Sequence, residues 1–269
     1  MQIWFYISLF LTLSLLSYGY YNYQHPKTEV FNIVINKQTV HNEQPLKVVS
    51  VSDIHLGYGT DKEELKQYVE MINAQKPDLI LIGGDLIDNS VVPLYAEKMM
   101  EELTELKAPL GIYMVPGNHE YISGIRKSML FIKETPIHLL RDEVVTLPGG
   151  IQIIGRDDRS NKSRLSLQEL VKNIDPAKPV ILLDHQRTTC RIRKMRVSTF
   201  SSADIHTAAR YGRSASLPTI YSIKVTATAS GETATYTFPP ACRSGGRLSG
   251  SEPTANLSYS TLPVNSLQT

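Results

Sequence analysis

Hydrophobic and polar positions divide the chain into stretches with clearly different patterns. The first, residues 1–24, has no charged side chain and is almost wholly apolar or aromatic between Ile3 and Leu16. About 20 helical residues cross the hydrocarbon layer of a bilayer, so this stretch is predicted to form a transmembrane anchor. Tyrosines crowd its far end, as in the aromatic belt of a membrane interface. Because a basic start and a small-residue cleavage site are both missing, a retained helix is favoured over a cleaved signal peptide.

The anchor predicts a membrane protein with a single N-terminal span. If Met1 is an internal start in a longer protein, more spans precede it, and this alternative stays open. The first lysine comes only at Lys27, so the charge pattern leaves the side of the membrane unknown. Residues 25–45 are expected to be a connector between the anchor and the next stretch.

Residues 46–186 alternate short apolar runs with amphipathic segments. The runs at residues 46–51, 78–82, 111–115 and 179–183 predict buried strands, and shorter strand candidates lie at 137–140, 143–146 and 151–154. Apolar spacing predicts helices over residues 62–73, 93–106, 125–132 and 165–174. Strands that alternate with helices indicate βαβ units, so an α/β fold with a largely parallel sheet is expected.

Charge and composition set residues 187–269 apart from the rest. The whole chain carries 28 Lys and Arg against 26 Asp and Glu, so nucleic-acid binding is not expected. Two cysteines exclude a disulfide-dense scaffold. Both cysteines, ten of the basic residues and only three of the acidic ones lie in residues 187–269, together with 26 Ser and Thr. This Ser/Thr-rich basic tail therefore needs an explanation of its own.

Polar clusters follow four of the predicted strands. They are D-I-H at 53–55, G-D-L-I-D at 84–88, G-N-H-E at 117–120 and D-H-Q at 184–186. Ligand sites in open α/β sheets lie beyond the carboxyl ends of the strands, so the four clusters are expected to meet. Their carboxylates, imidazoles and carboxamide suit Mn, Fe, Zn or a similar divalent ion. We expect an extended backbone to aim Asp53 and His55 the same way. Asp88 or Asn89 is expected to be a cap or loop residue rather than a ligand.

Together these clusters resemble the signature of the calcineurin-like metallophosphoesterase family, and more narrowly its bacterial membrane-associated branch. The similarity covers residues 46–186. It implies a metallophosphoesterase-type α/β/β/α sandwich with two divalent metal ions at the strand ends. The implied metal ligands are Asp53, His55, Asp85, Asn118 and His185. The first two would hold one ion, the last two would hold the other, and the carboxylate of Asp85 would bridge both.

The same resemblance implies a hydrolase that acts on a phosphomonoester or phosphodiester. A hydroxide that bridges the metals would attack phosphorus, and His119 would act on the leaving-group oxygen with an acidic neighbour to orient it. Arg156 is a candidate for contact with the phosphate, and a surface salt bridge is an equally good interpretation. The anchor favours a membrane-linked substrate.

The tail departs from the family pattern, which ends in a G-H-T-H motif that this chain does not contain. If one base is restored before the codon of Arg187, plausible codons for the tail give P-Y-H-L and then S-G-H-T-H-G-G in the adjacent frame. We therefore hypothesise that residues 187–269 are the out-of-frame product of a single-base deletion. The sandwich would then be incomplete at its C-terminus, and the chain would be nearly inactive for lack of ligands.

Two alternatives remain open from the sequence. The chain could be a catalytically dead, membrane-anchored binding protein on the same fold. The tail could instead be a genuine solvated Ser/Thr-rich segment.

Overall fold

The computed structural model describes residues 2–24, 26, 28–35, 46–186, 199–201 and 220–227. A long helix, α1 (Gln2–Gln24), precedes a domain built on two sheets. Its segment Gln2–Tyr21 is long and apolar enough to cross a membrane, and none of it is buried against the rest of the protein. This helix coincides with the anchor expected from the sequence.

The first sheet has six strands in the order β1-β10-β2-β3-β4-β5. Strands β2 to β5 are parallel, β10 is antiparallel to β2, and β1 is parallel to β10. The strand bounds are β1 Thr28–Ile35, β2 Leu46–Val51, β3 Leu79–Ile82, β4 Ile112–Met114, β5 Ile137–Leu139 and β10 Ile220–Ala227.

The second sheet has four strands in the order β6-β7-β8-β9. Strand β7 is antiparallel to β6 and parallel to β8, which is parallel to β9. The strands are β6 Glu143–Thr146, β7 Gln152–Gly155, β8 Val180–Leu183 and β9 Thr199–Ser201.

Short helices connect the strands. The longest of them, α2, begins with a capping box in which the Asp61 side chain accepts from the backbone N–H of Glu64. The helices are α2 Lys62–Ala74, α3 Val92–Ala96, α4 Met100–Thr104, α5 Asn118–Ile122, α6 Ile125–Lys133 and α7 Leu167–Leu170, and α7 continues into a 3-10 turn at Val171–Asn173.

Alternating side chains on the buried strands divide the core into three layers. Val49, Ile80 and Ile82 pack with α2 and α6 on the outer face of the first sheet. Their neighbours Val48, Leu79 and Leu81 pack with Ile181 and Leu183 between the two sheets. Val180 and Leu182 pack against Leu167 and Leu170 of α7 on the outer face of the second sheet. Strands β2, β3, β7 and β8 are therefore buried on two faces, and the predicted α/β/β/α sandwich is confirmed.

The structure differs from the sequence analysis in several elements. The single helix expected over residues 93–106 is two short helices, since the chain turns at Lys98 with a φ of 53°. The helix expected over residues 165–174 is only one turn of α-helix followed by a 3-10 turn. The connector contains β1, and the tail contributes β9 and β10. The remainder of residues 187–269, on which the expected incompleteness depends, lies outside the described residues.

Candidate metal centre

Backbone hydrogen bonds hold the loops after β2 and β3 side by side. The N–H groups of Asp53, His55 and Leu56 donate to the carbonyls of Gly84, Asp85 and Leu86 over 3.1, 3.0 and 2.8 Å. This pairing continues the two parallel strands past their carboxyl ends. It brings the first two polar clusters together, as the strand order predicts.

Five acidic and histidine side chains from the four clusters form two groups that could each hold a metal ion. One group is Asp53, Asp85 and His185, and the other is His55, Asp85 and His119. Within each group the candidate ligand atoms lie within 4.8 Å of one another. The carboxylate of Asp85 belongs to both groups, as a bridging ligand would. The structure therefore brings these five predicted side chains to one place.

The buried carboxylate of Asp85 lies at the middle of the cluster. Its Oδ1 accepts from the backbone N–H of His119 at 2.9 Å. Its Oδ2 lies 3.3 Å from Nε2 of His185 and 4.0 Å from Nε2 of His55. Burial opposes the ionisation of Asp85, but the hydrogen bond and charge of His185 hold the pKa of Asp85 below its usual value.

His185 has the ring orientation that a metal ligand needs. Its Nδ1 lies 2.9 Å from the carbonyl of Gly83, which fixes the ring and leaves Nε2 facing Asp85. Burial alone would lower the pKa of His185, but the hydrogen bond and charge of Asp85 raise it to about 9. The buried carboxylate of Asp85 thus favours a positively charged neighbour, and a divalent cation would also provide that charge. The donor set fits a metal ion.

His119 and His55 face each other beside a second carboxylate. Nδ1 of His119 lies 3.0 Å from Oδ1 of Asp88, and Nδ1 of His55 lies 3.7 Å from the same oxygen. The two imidazole rings are 4.4 Å apart at an angle of 79°. Asp88 lies in a loop, as expected, and its carboxylate also approaches both imidazoles. The sequence signal for this approach was its position three residues after Asp85 in G-D-L-I-D.

The backbone at the cluster is strained. Asp53, His55 and Asp85 have φ values of 56°, 53° and 52°, in the left-handed region that side chains other than glycine rarely adopt. The expectation of an extended backbone at D-I-H is therefore wrong. The left-handed turns send the side chains of Asp53 and His55 into different groups. Such strain persists only where the surrounding structure imposes it, and it is common at functional sites.

Two glycines allow the loops to approach this closely. A Cβ on Gly117 would meet the carboxylate of Asp85, and a Cβ on Gly84 would lie 2.7 Å from Nδ1 of His185. Gly84 also has a φ of 103°. A side chain at either position would displace a predicted ligand.

Glu120 links the loops after β3 and β4 by accepting hydrogen bonds from the backbone of both. Its side chain is fully buried. Oε2 accepts from the N–H groups of Asp85 at 3.0 Å and Gly117 at 2.7 Å, and Oε1 accepts from Ile87 at 2.9 Å. Burial raises the pKa of Glu120, while the three donors favour its ionised form. This role was not predicted from the sequence, where Glu120 was only the last letter of G-N-H-E.

A second network fixes α5 against the second sheet. The hydroxyl of Tyr121 donates to Oδ1 of Asp157 at 2.6 Å. The guanidinium of Arg141 donates to the Tyr121 oxygen at 3.0 Å and to Oδ2 of Asp157 at 2.8 Å. Burial and the neighbouring Asp157 raise the pKa of Tyr121 to about 12, so its hydroxyl stays protonated. The helix that begins with Asn118 and His119 is thereby held at its middle.

Arg156 lies away from the surface. It is buried, and its NH1 donates to Oδ2 of Asp184 at 2.9 Å. Arg164 donates to both oxygens of the same carboxylate at 3.1 and 3.0 Å. The salt bridge considered for Arg156 is therefore present, but it is buried rather than at the surface. Two guanidinium groups instead fix Asp184, the residue that precedes His185, and contact of Arg156 with a substrate phosphate stays a prediction.

Comparisons with known proteins identify the family of this chain. The profile of the calcineurin-like phosphoesterase family matches residues 46–215, which extends past the 46–186 expected from the motifs. An uncharacterized metallophosphoesterase of Aquifex aeolicus is 31% identical over 169 residues, which cover 59% of this chain and 64% of that protein. A transmembrane protein with metallophosphoesterase domain from Bos taurus is 29% identical over 157 residues, which cover 52% of this chain and 35% of that protein.

The chain spans less than two thirds of the length of these relatives. Among solved structures, the 5'-nucleotidase precursor from Thermus thermophilus is similar over 60% of this chain and 42% of that chain. Its TM-score is 0.42 and its sequence identity is 15%.

Glu120→Gln should lower the free energy of unfolding by about 3 kcal/mol, because the amide removes one acceptor oxygen and sets a donor against a buried N–H. Urea unfolding followed by circular dichroism measures the change. Glu70→Gln replaces an exposed glutamate and is the matched control. Equal stability of the two variants would contradict the role of Glu120 in joining the loops.

Proposed function

Because the chain belongs to the calcineurin-like phosphoesterase family, we propose that it is a metal-dependent hydrolase of phosphomonoesters or phosphodiesters. The observation that carries this proposal is the carboxylate of Asp85, which two groups of potential ligands share. A single carboxylate between two such groups is the arrangement that a pair of adjacent cations requires.

Two divalent metal ions would be held by the predicted ligands, namely Asp53, His55, Asp85, Asn118 and His185. The two groups support Asp85 as the shared ligand. They combine Asp53 with His185 rather than with His55, so the division of ligands between the ions can differ from the sequence expectation. When bound, a pair of such ions polarises a phosphate and lowers the pKa of a bound water.

His119 is proposed as the group that gives a proton to the leaving-group oxygen. The carboxylate of Asp88 lies 3.0 Å from its Nδ1, where it orients the ring. A positively charged imidazole also stabilises the negative charge that develops on the leaving oxygen. In this role His119 is a catalytic residue, and Asp88 is a positioning residue that acts through it.

We further propose that α1 spans a membrane and anchors the catalytic domain, residues 46–186, to it. The length and apolar character of Gln2–Tyr21 support this, and so does the similarity to a protein described as transmembrane. A phosphate ester held in the membrane would then be within reach of the site.

Restoring one base before the codon of Arg187 should produce a more active protein. The adjacent frame supplies a G-H-T-H motif, and additional histidine ligands increase metal affinity. Both proteins are expressed with their anchors, and their manganese content and hydrolysis of bis(p-nitrophenyl) phosphate are compared. Equal metal content and equal rates would contradict the out-of-frame hypothesis for residues 187–269.

Asp85→Asn should lower both metal affinity and phosphodiester hydrolysis by at least about 100-fold, because it removes the shared negative charge. Manganese titration and the aryl phosphodiester assay measure the two effects, in this chain and in its frame-restored counterpart. Asp175→Asn is the control, because it changes an exposed carboxylate that lies outside the four polar clusters. If Asp85→Asn binds metal as tightly as the control, the proposed centre is wrong.

His119→Gln should lower kcat by about 100- to 10,000-fold while the metal content stays unchanged, because the imidazole acts on a proton. The frame-restored counterpart provides the activity reference, and metal content is measured on the same samples. His119 also belongs to one of the two potential ligand groups. A parallel loss of metal and activity would make it a ligand and contradict its role as the proton donor.

A further inference from the structure

We infer that the edge of the first sheet that carries the metal cluster faces the membrane. We also infer that three exposed apolar side chains at this edge, Tyr58, Val92 and Ile122, contact the lipid interface. The inference rests on the proposed function for its consequence, which is that the substrate is a phosphate ester borne by the bilayer surface.

Strand direction brings the anchor to this edge. The carboxyl ends of β2, β3 and β4 lead into the loops that hold the cluster. Strand β10 is antiparallel to β2, with Tyr221 opposite Ser50 near the end of β2. Strand β1 is parallel to β10, with Thr28 opposite Ile220. The first residue of β1 is therefore level with the carboxyl end of β2.

The chain between α1 and β1 is too short for the end of α1 to lie far from the start of β1. Helix α1 ends at Gln24 and β1 begins at Thr28, so the two ends are at most about 14 Å apart. Strands β1 and β2 are two strand spacings apart, which is about 10 Å. The end of α1 therefore lies near the edge that carries Asp53 and His55. Exposed Tyr18, Tyr20 and Tyr21 at this end of α1 match the aromatic belt of a membrane interface.

Each loop that supplies the cluster from the first sheet also exposes a large apolar side chain. Tyr58 follows β2 and is 78% exposed, Val92 follows β3 and is 67% exposed, and Ile122 follows β4 and is 59% exposed. A Cβ on Gly57 would lie 3.5 Å from Leu94 and 3.7 Å from the carbonyl of Ser90, so the first two loops are in contact. We call these three side chains, Tyr58, Val92 and Ile122, the rim. The position of the rim depends on β2, β3 and β4 and not on β10.

The opposite edge of the sheet has no such rim. Within the described residues, the segments before β3, β4 and β5 at 75–78, 105–111 and 134–136 contain no exposed large hydrophobic side chain. Exposed apolar contact area on one edge only is typical of a surface that meets another apolar phase.

Two features favour a lipid bilayer as the surface that the rim contacts, namely the attachment to α1 and the basic side chains near the rim. Arg126 and Lys127 are exposed in the first turn of α6, a few residues after Ile122. Cations beside exposed apolar side chains are typical of surfaces that bind anionic headgroups. The exposed carboxylates of Asp61 and Glu63 lie at the start of α2 and would repel anionic headgroups. The contact with headgroups is therefore expected on the side of the rim that follows β4.

Fluorescence quenching in vesicles tests this orientation. Cys190 and Cys242 of the full chain are replaced by serine, and single cysteines are introduced as Tyr58→Cys, Val92→Cys and Ile122→Cys. Each is labelled with an environment-sensitive nitrobenzoxadiazole dye. Lys107→Cys, in the segment before β4, is the matched control on the opposite edge. The proteins are reconstituted in vesicles of phosphatidylcholine and phosphatidylglycerol with or without a headgroup-level spin-labelled lipid.

At the three rim positions the dye emission should be blue-shifted, and the spin-labelled lipid should quench most of the fluorescence intensity. The dye at the control position should show neither the blue shift nor the quenching. Equal quenching at all four positions, quenching at the control alone, or a chain that does not float with the vesicles would overturn the inference. A blue shift at the rim without quenching would place it against another protein copy and would overturn it as well.

The outcome is separable from the proposed activity, because the fluorescence needs no turnover. Hydrolysis of a soluble aryl phosphodiester without quenching would keep the proposed function and reject the orientation. Quenching without hydrolysis in the frame-restored counterpart would keep the orientation and reject the activity.

Discussion

The buried carboxylate of Glu120 is the constraint on which the candidate centre depends. Three backbone N–H groups from two separate loops converge on it, and two of them belong to Asp85 and Gly117. A buried carboxylate is costly unless it accepts several hydrogen bonds, so these donors and Glu120 stabilise one another. The loops after β3 and β4 therefore cannot move apart without exposing an unpaired charge or unpaired amides in the core.

That constraint explains how the site can concentrate negative charge and strained backbone. Asp53 and Asp85 lie close to His185, Asp88 lies 3.0 Å from His119, and three residues of the cluster have a positive φ. Both features are unfavourable in isolation. The buried sheets and the two networks around Glu120 and Asp157 hold the residues in place, and the demand for positive charge at Asp85 is what a divalent cation satisfies.

Much of this fold followed from local patterns, because the buried strands are short continuous apolar runs and consecutive strands of the chain pair with one another. Strand β2 was predicted with its observed bounds, and the convergence of the four clusters followed from the direction of parallel strands. Strands β1 and β10 were missed, since each is defined by a partner far along the chain. The left-handed turns at Asp53 and Asp85 and the contact between Asp88 and His119 depend on tertiary packing, which residue spacing alone does not contain.

The proposed sharing of the Asp85 carboxylate by two metal ions is the step on which the function depends. Anomalous diffraction at the manganese edge, from crystals of the frame-restored protein grown with Mn²⁺, measures it directly. Two anomalous peaks are expected on either side of Asp85, with one coordinated by His185. Crystals without an anomalous peak in contact with Asp85 would contradict the shared centre.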